Sequence, residues 1–292
     1  MFMKKWLAVC NLIVVTIIWG GGFVASDMAL ESMRPFQIMV VRFLIAAVFM
    51  GLMSLSSLKD IKIKEIKAGI FMGLTLFMGF ALQIIGLQYT TPSKNAFLTA
   101  LNVVIVPFIS FLLLKKKIGA KGILGAFMSV VGVALLSLNG DLTLSLGDGL
   151  TLLCAVGFAF QIFLTGEFVK VYRVKILNFV QMTTAFVLSL LSMFFFKEYV
   201  FYVSDKGWWS VLYLGFISTS LCYLLQTVSQ KYIDETKAAI ILSMESVFGT
   251  LFSIILLHEI LTLRMLIGCL VILAAVIISN LAESQDSDGI KE

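Results

Sequence analysis

The chain has 292 residues, of which 60% are hydrophobic and only 13% charged, where a soluble domain carries about 25% charged residues. That balance excludes a soluble enzyme or binding domain and names the lipid bilayer as the solvent. The formal net charge of +5 would point to nucleic acid in a soluble protein; here it bears on orientation, and no nucleic-acid partner is expected.

Lipid offers no partners to free backbone groups, so a crossing helix needs roughly 20 mostly apolar residues. Ten stretches meet that need, at about 6–26, 36–57, 68–89, 95–114, 120–138, 147–167, 174–196, 208–230, 236–257 and 263–281. They predict an all-α integral membrane protein. The opening "MFMKKWLAVCNLIVV" has the lysines of a signal peptide, but its apolar run exceeds the usual h-region of about 7 to 15 residues, and nine further spans follow. It is read as an uncleaved first helix.

In span one, "WGGGF" sets three glycines in succession, each costing about 1 kcal/mol relative to Ala in a helix interior. Close packing or a bend is expected to offset them. Trp19 and Phe23, one turn apart, can wall a cavity, and Trp19 can equally join an interfacial belt. Span two carries Arg42, the only cation well inside a span. It can snorkel outward, or turn inward as a clamp for an anionic solute group or a partner for Glu245.

Gln83 in span three shares a helical face with Gly79 and Gly86, and Gln226 in span eight shares one with Gly215, Cys222 and Ser229. Both glutamines are therefore expected inside the bundle, as glue between helices or as partners for a solute. Phe158 and Gln161 in span six occupy ground like that of Trp19 and Phe23. Spans five and ten show small-residue faces, Gly122, Gly125, Ser129 and Gly132 in one, Gly268 and Ala275 in the other. Such faces suit peripheral bracing or a homodimer contact.

Span nine holds Glu245 nine residues past Thr236, about 14 Å into a core of roughly 30 Å. A charge at that depth costs about 2.5 to 3.5 kcal/mol to insert, and each Leu, Ile, Phe or Val returns roughly 0.3 to 0.6. The apolar span can carry it, but once inserted the carboxylate must be paired, line a wet cavity or hold a proton. His258 and Glu259, at the end of the span, read as a solvated interface pair, because one His with one carboxylate makes no metal site.

No HExxH, nucleophile elbow or paired intramembrane aspartate occurs, so no enzyme, metal or cofactor is expected. The four cysteines, Cys10, Cys154, Cys222 and Cys269, lie inside spans with no CxxC spacing and read as small packing residues. The polar tail, 282–292, is expected to be disordered. With the N-terminus in the cytoplasm, the loops on that side hold fifteen Lys and Arg before the tail, against five on the other. The positive-inside rule then puts both termini in the cytoplasm.

An offset of 143 residues lays "LQIIGLQYTTPSKNA" (82–96) on "LQTVSQKYIDETKAA" (225–239) with five identities, and Gly125 on Gly268. It divides the chain into repeats at 1–138 and 139–281. Five spans per repeat is an odd number, so the second half enters the membrane upside down. Inverted repeats of this kind build transporters in which two halves rock about a shared site. The same offset sets Asn102 opposite Glu245 near mid-membrane.

The order of "WGGGFVAS", "RPFQIMVVRFLIAA", "SMESVFGTLFSIILLHEILT" and the glycine of "RMLIGCLVILAAVIIS" resembles the EamA-like family of the drug/metabolite transporter superfamily, over about residues 7–281. The resemblance implies ten helices in two inverted five-helix repeats, a central solute cavity, and transport, usually export, of amino acids or other small metabolites. By position, Trp19, Gly20, Phe23, Pro35, Arg42, Glu245 and Glu259 match recurring residues of the family. Two departures stand out. Lys116 takes the first-half position of Glu259, and Ser246 stands where a proline is usual, which predicts a straighter span nine.

The expectation is therefore an inner-membrane carrier that moves a small amphipathic solute by alternating access, with Glu245 as the candidate proton carrier. The solute-binding candidates are Trp19, Phe23, Arg42, Gln83, Asn102, Gln161, Tyr223, Gln226 and Glu245. An integral-membrane enzyme, or a scaffold or receptor that transports nothing, is the alternative.

Overall fold

A computed structural model describes residues 2–115, 120–137 and 145–281; Lys116 and the tail, 282–292, lie outside these described residues. All ten expected spans are helical, and no strand occurs among the described residues. In chain order the elements are α1 (Phe2–Leu30), α2 (Pro35–Leu58), α3 (Ile63–Leu87), α4 (Pro92–Thr99), α5 (Asn102–Leu114), α6 (Ala120–Ser137) and α7 (Leu146–Phe168). There follow α8 (Val174–Phe195), α9 (Asp205–Leu212), a π-helical stretch (Tyr213–Leu221), α10 (Cys222–Ser229), α11 (Glu235–Ser243), α12 (Glu245–Leu257) and α13 (Leu263–Leu281). Span four is thus α4 with α5, span eight is α9 through α10, and span nine is α11 with α12. Eight of the ten rods are long and apolar enough to cross a membrane; among the described residues, spans five and ten carry shorter apolar stretches, Ile123–Gly132 and Leu263–Ala275.

The starts follow from local chemistry. Pro35 and Pro92 open α2 and α4, where a missing N–H costs nothing. Thr91, Ser145, Ser204 and Asp234 each accept a hydrogen bond from a backbone N–H three residues on, satisfying donors that the first turn leaves open.

The repeat read from sequence is carried in the backbone. Leu101 (φ −62, ψ −12) interrupts span four where Met244 (φ −63, ψ −13) interrupts span nine, and these residues are 143 apart. So are Lys115 and His258, both left-handed at φ 57 and 54, which end α5 and α12. Packing obeys the same relation. Span two packs on seven, four on nine and five on ten, pairs that map onto themselves when the halves exchange. Span one packs on nine as six packs on four, and span three on six as eight on one. Two inverted five-helix repeats therefore share a pseudo-twofold axis.

Ser246 does not straighten span nine. At the break, Met244 N–H bonds Ile241 O at 3.2 Å and Val247 N–H bonds Met244 O at 3.1 Å, a tightened three-residue ladder. The hydroxyls of Ser243 and Ser246 donate back to Ile240 O and Ser243 O and favour the same turn without a proline.

The glycines of "WGGGF" serve close packing in an unbroken helix. A Cβ on Gly20 would lie 2.5 Å from Phe248 Cβ and 2.8 Å from Gly249 N, so span one lies hard against span nine. Likewise a Cβ on Gly132 would lie 2.6 Å from Ile272 Cγ1 and 3.1 Å from Gly268 O, so the small faces of spans five and ten brace each other.

The loops at 59–62, 169–173 and 230–234 mark the lysine-rich face, and those at 31–34, 88–91, 196–204 and 258–262 the opposite face. Each face has a tether between the halves. Arg173, before α8, donates from Nε and Nη2 to the Glu65 carboxylate at 2.8 and 2.6 Å. At the opposite face, the Glu198 carboxylate accepts Phe36 N–H at 2.8 Å, and Gln37 Nε2 donates to Glu198 O and Val200 O at 2.7 and 2.6 Å.

Candidate functional site

The two helix breaks place Asn102 and Glu245 at the first positions of α5 and α12, beside a common cavity. The cavity runs from these breaks toward Leu87, the last residue of α3, and so lies in the half of the bundle away from the lysine-rich face.

Aromatic rings form much of the wall. Trp19 lies 5.1 Å from Tyr223 between centroids, and Phe80 meets Phe158 edge-on at 5.0 Å, arrangements that suit ring quadrupoles. Trp19 Nε1 donates to Ser218 O at 2.8 Å, which fixes the indole across the span one and span eight contact.

Arg42 turns inward. Its side chain is 2% exposed, its Nε donates to Thr219 Oγ1 at 3.1 Å, and its guanidinium carbon stands 4.1 Å above the Phe80 ring. A cation over an aromatic face in a desolvated site is held by the ring quadrupole. Glu245 lines the same cavity. Among the described residues, its carboxylate makes no hydrogen bond, and no ion pair within 4.0 Å joins it to Arg42. A guanidinium and a carboxyl group thus share one cavity with no hydrogen bond or ion pair between them. Buried charges left so are costly unless water or a ligand meets them.

Eight of the nine solute-binding candidates line this cavity: Trp19, Phe23, Arg42, Gln83, Asn102, Gln161, Tyr223 and Glu245. Gln226 stands behind it, fully buried, donating to Gln161 Oε1 at 3.2 Å and Gln230 Oε1 at 3.1 Å. Gln83 donates to Thr99 Oγ1 at 3.1 Å, while Asn102 Oδ1 is buried with no partner. Phe80, Asn95, Thr99 and Ser218 also line the cavity and were not expected from sequence. Two signals for them were available. Phe80 is the residue 143 before Tyr223, and Thr99 and Asn95 lie three and seven residues before Asn102, on its helical face.

Glu259 is not a solvated partner of His258. It accepts hydrogen bonds from Ser93 Oγ at 2.8 Å, Ser93 N–H at 3.3 Å and the Ser253 hydroxyl, so it caps the start of α4 from the other repeat. A carboxylate is favoured there by the open N–H groups of the first turn.

The EamA-like transporter family model matches residues 6–138 and again residues 145–281. An uncharacterized transporter of Archaeoglobus fulgidus is 34% identical over 279 residues, covering 96% of this chain and 87% of its own. The uncharacterized transporter YoaV of Bacillus subtilis is 23% identical over 288 residues, covering 94% and 97%. A solved crystal structure superimposes with a TM-score of 0.73 over 95% of this chain and 98% of its own, at 18% identity, a likeness of fold. With two family matches meeting two inverted halves around one cavity, the chain is a multi-pass membrane transporter and belongs to the EamA-like transporter family.

Proposed function

We propose that the protein is an inner-membrane carrier that exports a zwitterionic, amphipathic metabolite of the amino-acid type by alternating access. The observation that carries this reading is the Arg42 guanidinium and the Glu245 carboxyl group, unpaired with each other, on one aromatic-walled cavity. The guanidinium takes the solute carboxylate, since it is planar, permanently charged and rich in donors. Glu245 takes the ammonium group, and Trp19, Phe80, Phe158 and Tyr223 cover the apolar part. Both termini are in the cytoplasm on the lysine and arginine bias of the loops, and Glu245 exchanges a proton for the solute ammonium in each cycle.

The test is flux of radiolabelled L-leucine and L-phenylalanine into proteoliposomes. Phenethylamine and 3-phenylpropionate, which each lack one charge, serve as competitors. Both should compete poorly, and Glu245→Gln should lower flux by roughly 30-fold or more, the loss of about 2 kcal/mol when one side of a buried charge contact is removed. Equal competition by 3-phenylpropionate would remove Glu245 from ammonium recognition. A Glu245→Gln carrier with its full rate and pH dependence would exclude proton coupling through this residue.

A further inference from the structure

Five lysines and arginines stand at the face opposite the lysine-rich one: Arg34, Lys94, Lys197, Lys206 and Arg264. Lys94 pairs with Asp148 at 3.7 Å and Lys206 with Glu31 at 2.7 Å, and Arg264 is engaged as well. Arg34 and Lys197 differ. Both are exposed, and among the described residues neither forms an ion pair. They line one cleft, together with Ser32, Gln37, Glu198 and Tyr202. The unpaired cations of this face are thus gathered at a single place.

The cleft sits over the opposite-face tether, with Arg34 before α2 in the first half and Lys197 after α8 in the second. The tether takes up the other polar groups. Glu198 accepts Phe36 N–H, Gln37 Nε2 donates to two carbonyl oxygens, and the Phe36 ring stacks on Phe196 at 5.1 Å between centroids. Arg34 stands near Glu198 but beyond ion-pair distance. At the lysine-rich face the tethering cation, Arg173, is instead taken up by Glu65. Two cations against one carboxyl group leave the cleft with an excess of positive charge.

Its surroundings place the cleft at the level of lipid headgroups. Phe195 is 80% exposed, Tyr202 85% and Trp209 74%, and Phe194 stacks on Tyr199 at 6.2 Å. Exposed rings of this kind collect at the membrane interface. The segment 143 positions earlier, 51–59, has no aromatic residue, so the belt belongs to this end of span seven alone. A guanidinium matches the oxygens of a phosphate in a bidentate contact, and basic pockets between membrane helices hold anionic headgroups. Phe196 and Val200, which also line the cleft, add an apolar wall that suits a glycerol backbone and its acyl chains and offers nothing to a soluble anion.

We infer that the cleft between Arg34 and Lys197 binds the phosphodiester headgroup of an anionic phospholipid from the adjoining leaflet. The lipid bridges the two halves, one cation from each, over the tether that joins them. The inference is independent of what the central cavity carries.

Native mass spectrometry of the detergent-purified protein, titrated with dioleoylphosphatidylglycerol or dioleoylphosphatidylcholine, tests it. Phosphatidylglycerol should bind the more tightly. Arg34→Gln and Lys197→Gln should each weaken the first phosphatidylglycerol about 10-fold, as the loss of a charge-assisted hydrogen bond implies. Lys206→Gln removes the same charge from the same face and should leave that lipid unaffected. Equal binding of the two lipids, or equal weakening by Lys206→Gln, would overturn the site, since general attraction to the face would then account for the binding. A second measurement needs no variant. Phosphatidylglycerol should raise the unfolding midpoint of the parent in detergent, and 10 mM inorganic phosphate at constant ionic strength should not. No shift with the lipid, or an equal shift with phosphate, would overturn the lipid assignment.

Discussion

Asn102 and Glu245 open α5 and α12 after matching breaks, yet they meet different surroundings. Asn102 Oδ1 is sealed without a partner, whereas the Glu245 carboxylate, also without one, opens on the cavity. The halves diverge likewise around them. Arg42 corresponds to Ala185, and Gly20 corresponds to Phe163. The backbone keeps the duplication, and the side chains have left it. A symmetric scaffold supplies two equivalent arrangements, while its chemical asymmetry leaves a guanidinium in the first half and a carboxyl group in the second, on a single cavity.

The strongest way to break this comparison is to exchange the pair. In Asn102→Glu with Glu245→Asn, the total charge and the axial position are kept, but the carboxylate moves to a site where one oxygen is sealed. An unpaired charge there costs several kcal/mol. Flux should therefore stay as low as in Glu245→Asn alone, and the unfolding midpoint in detergent should fall below the parent's. Parental flux from the exchanged protein would mean that the two positions are interchangeable and that the asymmetry carries no function.

A smaller effect sharpens the packing side of the comparison. Where the second half accommodates Phe163, buried at 3% exposure, the first half has Gly20 with no room for a methyl group. Gly20→Ala gains about 1 kcal/mol in helix propensity but forces span one away from span nine, at about 1 to 3 kcal/mol for an overpacked contact. The obstacle includes backbone, Gly249 N at 2.8 Å, so the cost should win and thermal unfolding should shift downward. A raised midpoint would show that the contact yields.

How much of this was legible in the sequence depends on whether the signal is local. All ten spans could be read, because lipid tolerates almost nothing but apolar helix, and Arg42 and Glu245 stood out as charges in apolar runs. Gln226 lies inside the bundle as read, but behind the cavity wall, for a physical reason. Its shared face with Gly215 assumed a continuous α-helix, but Tyr213–Leu221 is π-helical, and each turn of that ladder rotates the register. Gly215 consequently packs on Ile45, and Gln226 turns to Gln161. The break at Met244 was hidden because neither proline nor glycine marks it, and the Ser243 and Ser246 hydroxyls donate to carbonyls of the same turn. Glu259 escaped because its partner, Ser93, is 166 residues away.

The smallest expected effect concerns the two tethers. Arg173 and Glu65 join the halves at the lysine-rich face by a double charged hydrogen bond, and the Glu198 loop joins them at the opposite face largely through backbone groups. Burial pushes the Glu198 carboxyl above its ordinary value of 4.5, opposed by the Phe36 N–H it accepts and by the nearby Arg34 charge. A carboxyl raised on folding binds its proton more readily in the folded state. Its contribution is complete below 4.5 and is lost as pH rises through the folded value. Glu198→Gln stays neutral at every pH and keeps an oxygen to accept Phe36 N–H. Its unfolding midpoint should match the parent's near pH 4 and exceed it slightly at pH 7, by an amount kept small because the group is partly exposed and screened. If the variant instead falls behind as the pH rises, the charged contacts to Phe36 N–H and Arg34 outweigh burial. The opposite-face tether is then held by charge, as the Glu65 and Arg173 tether is.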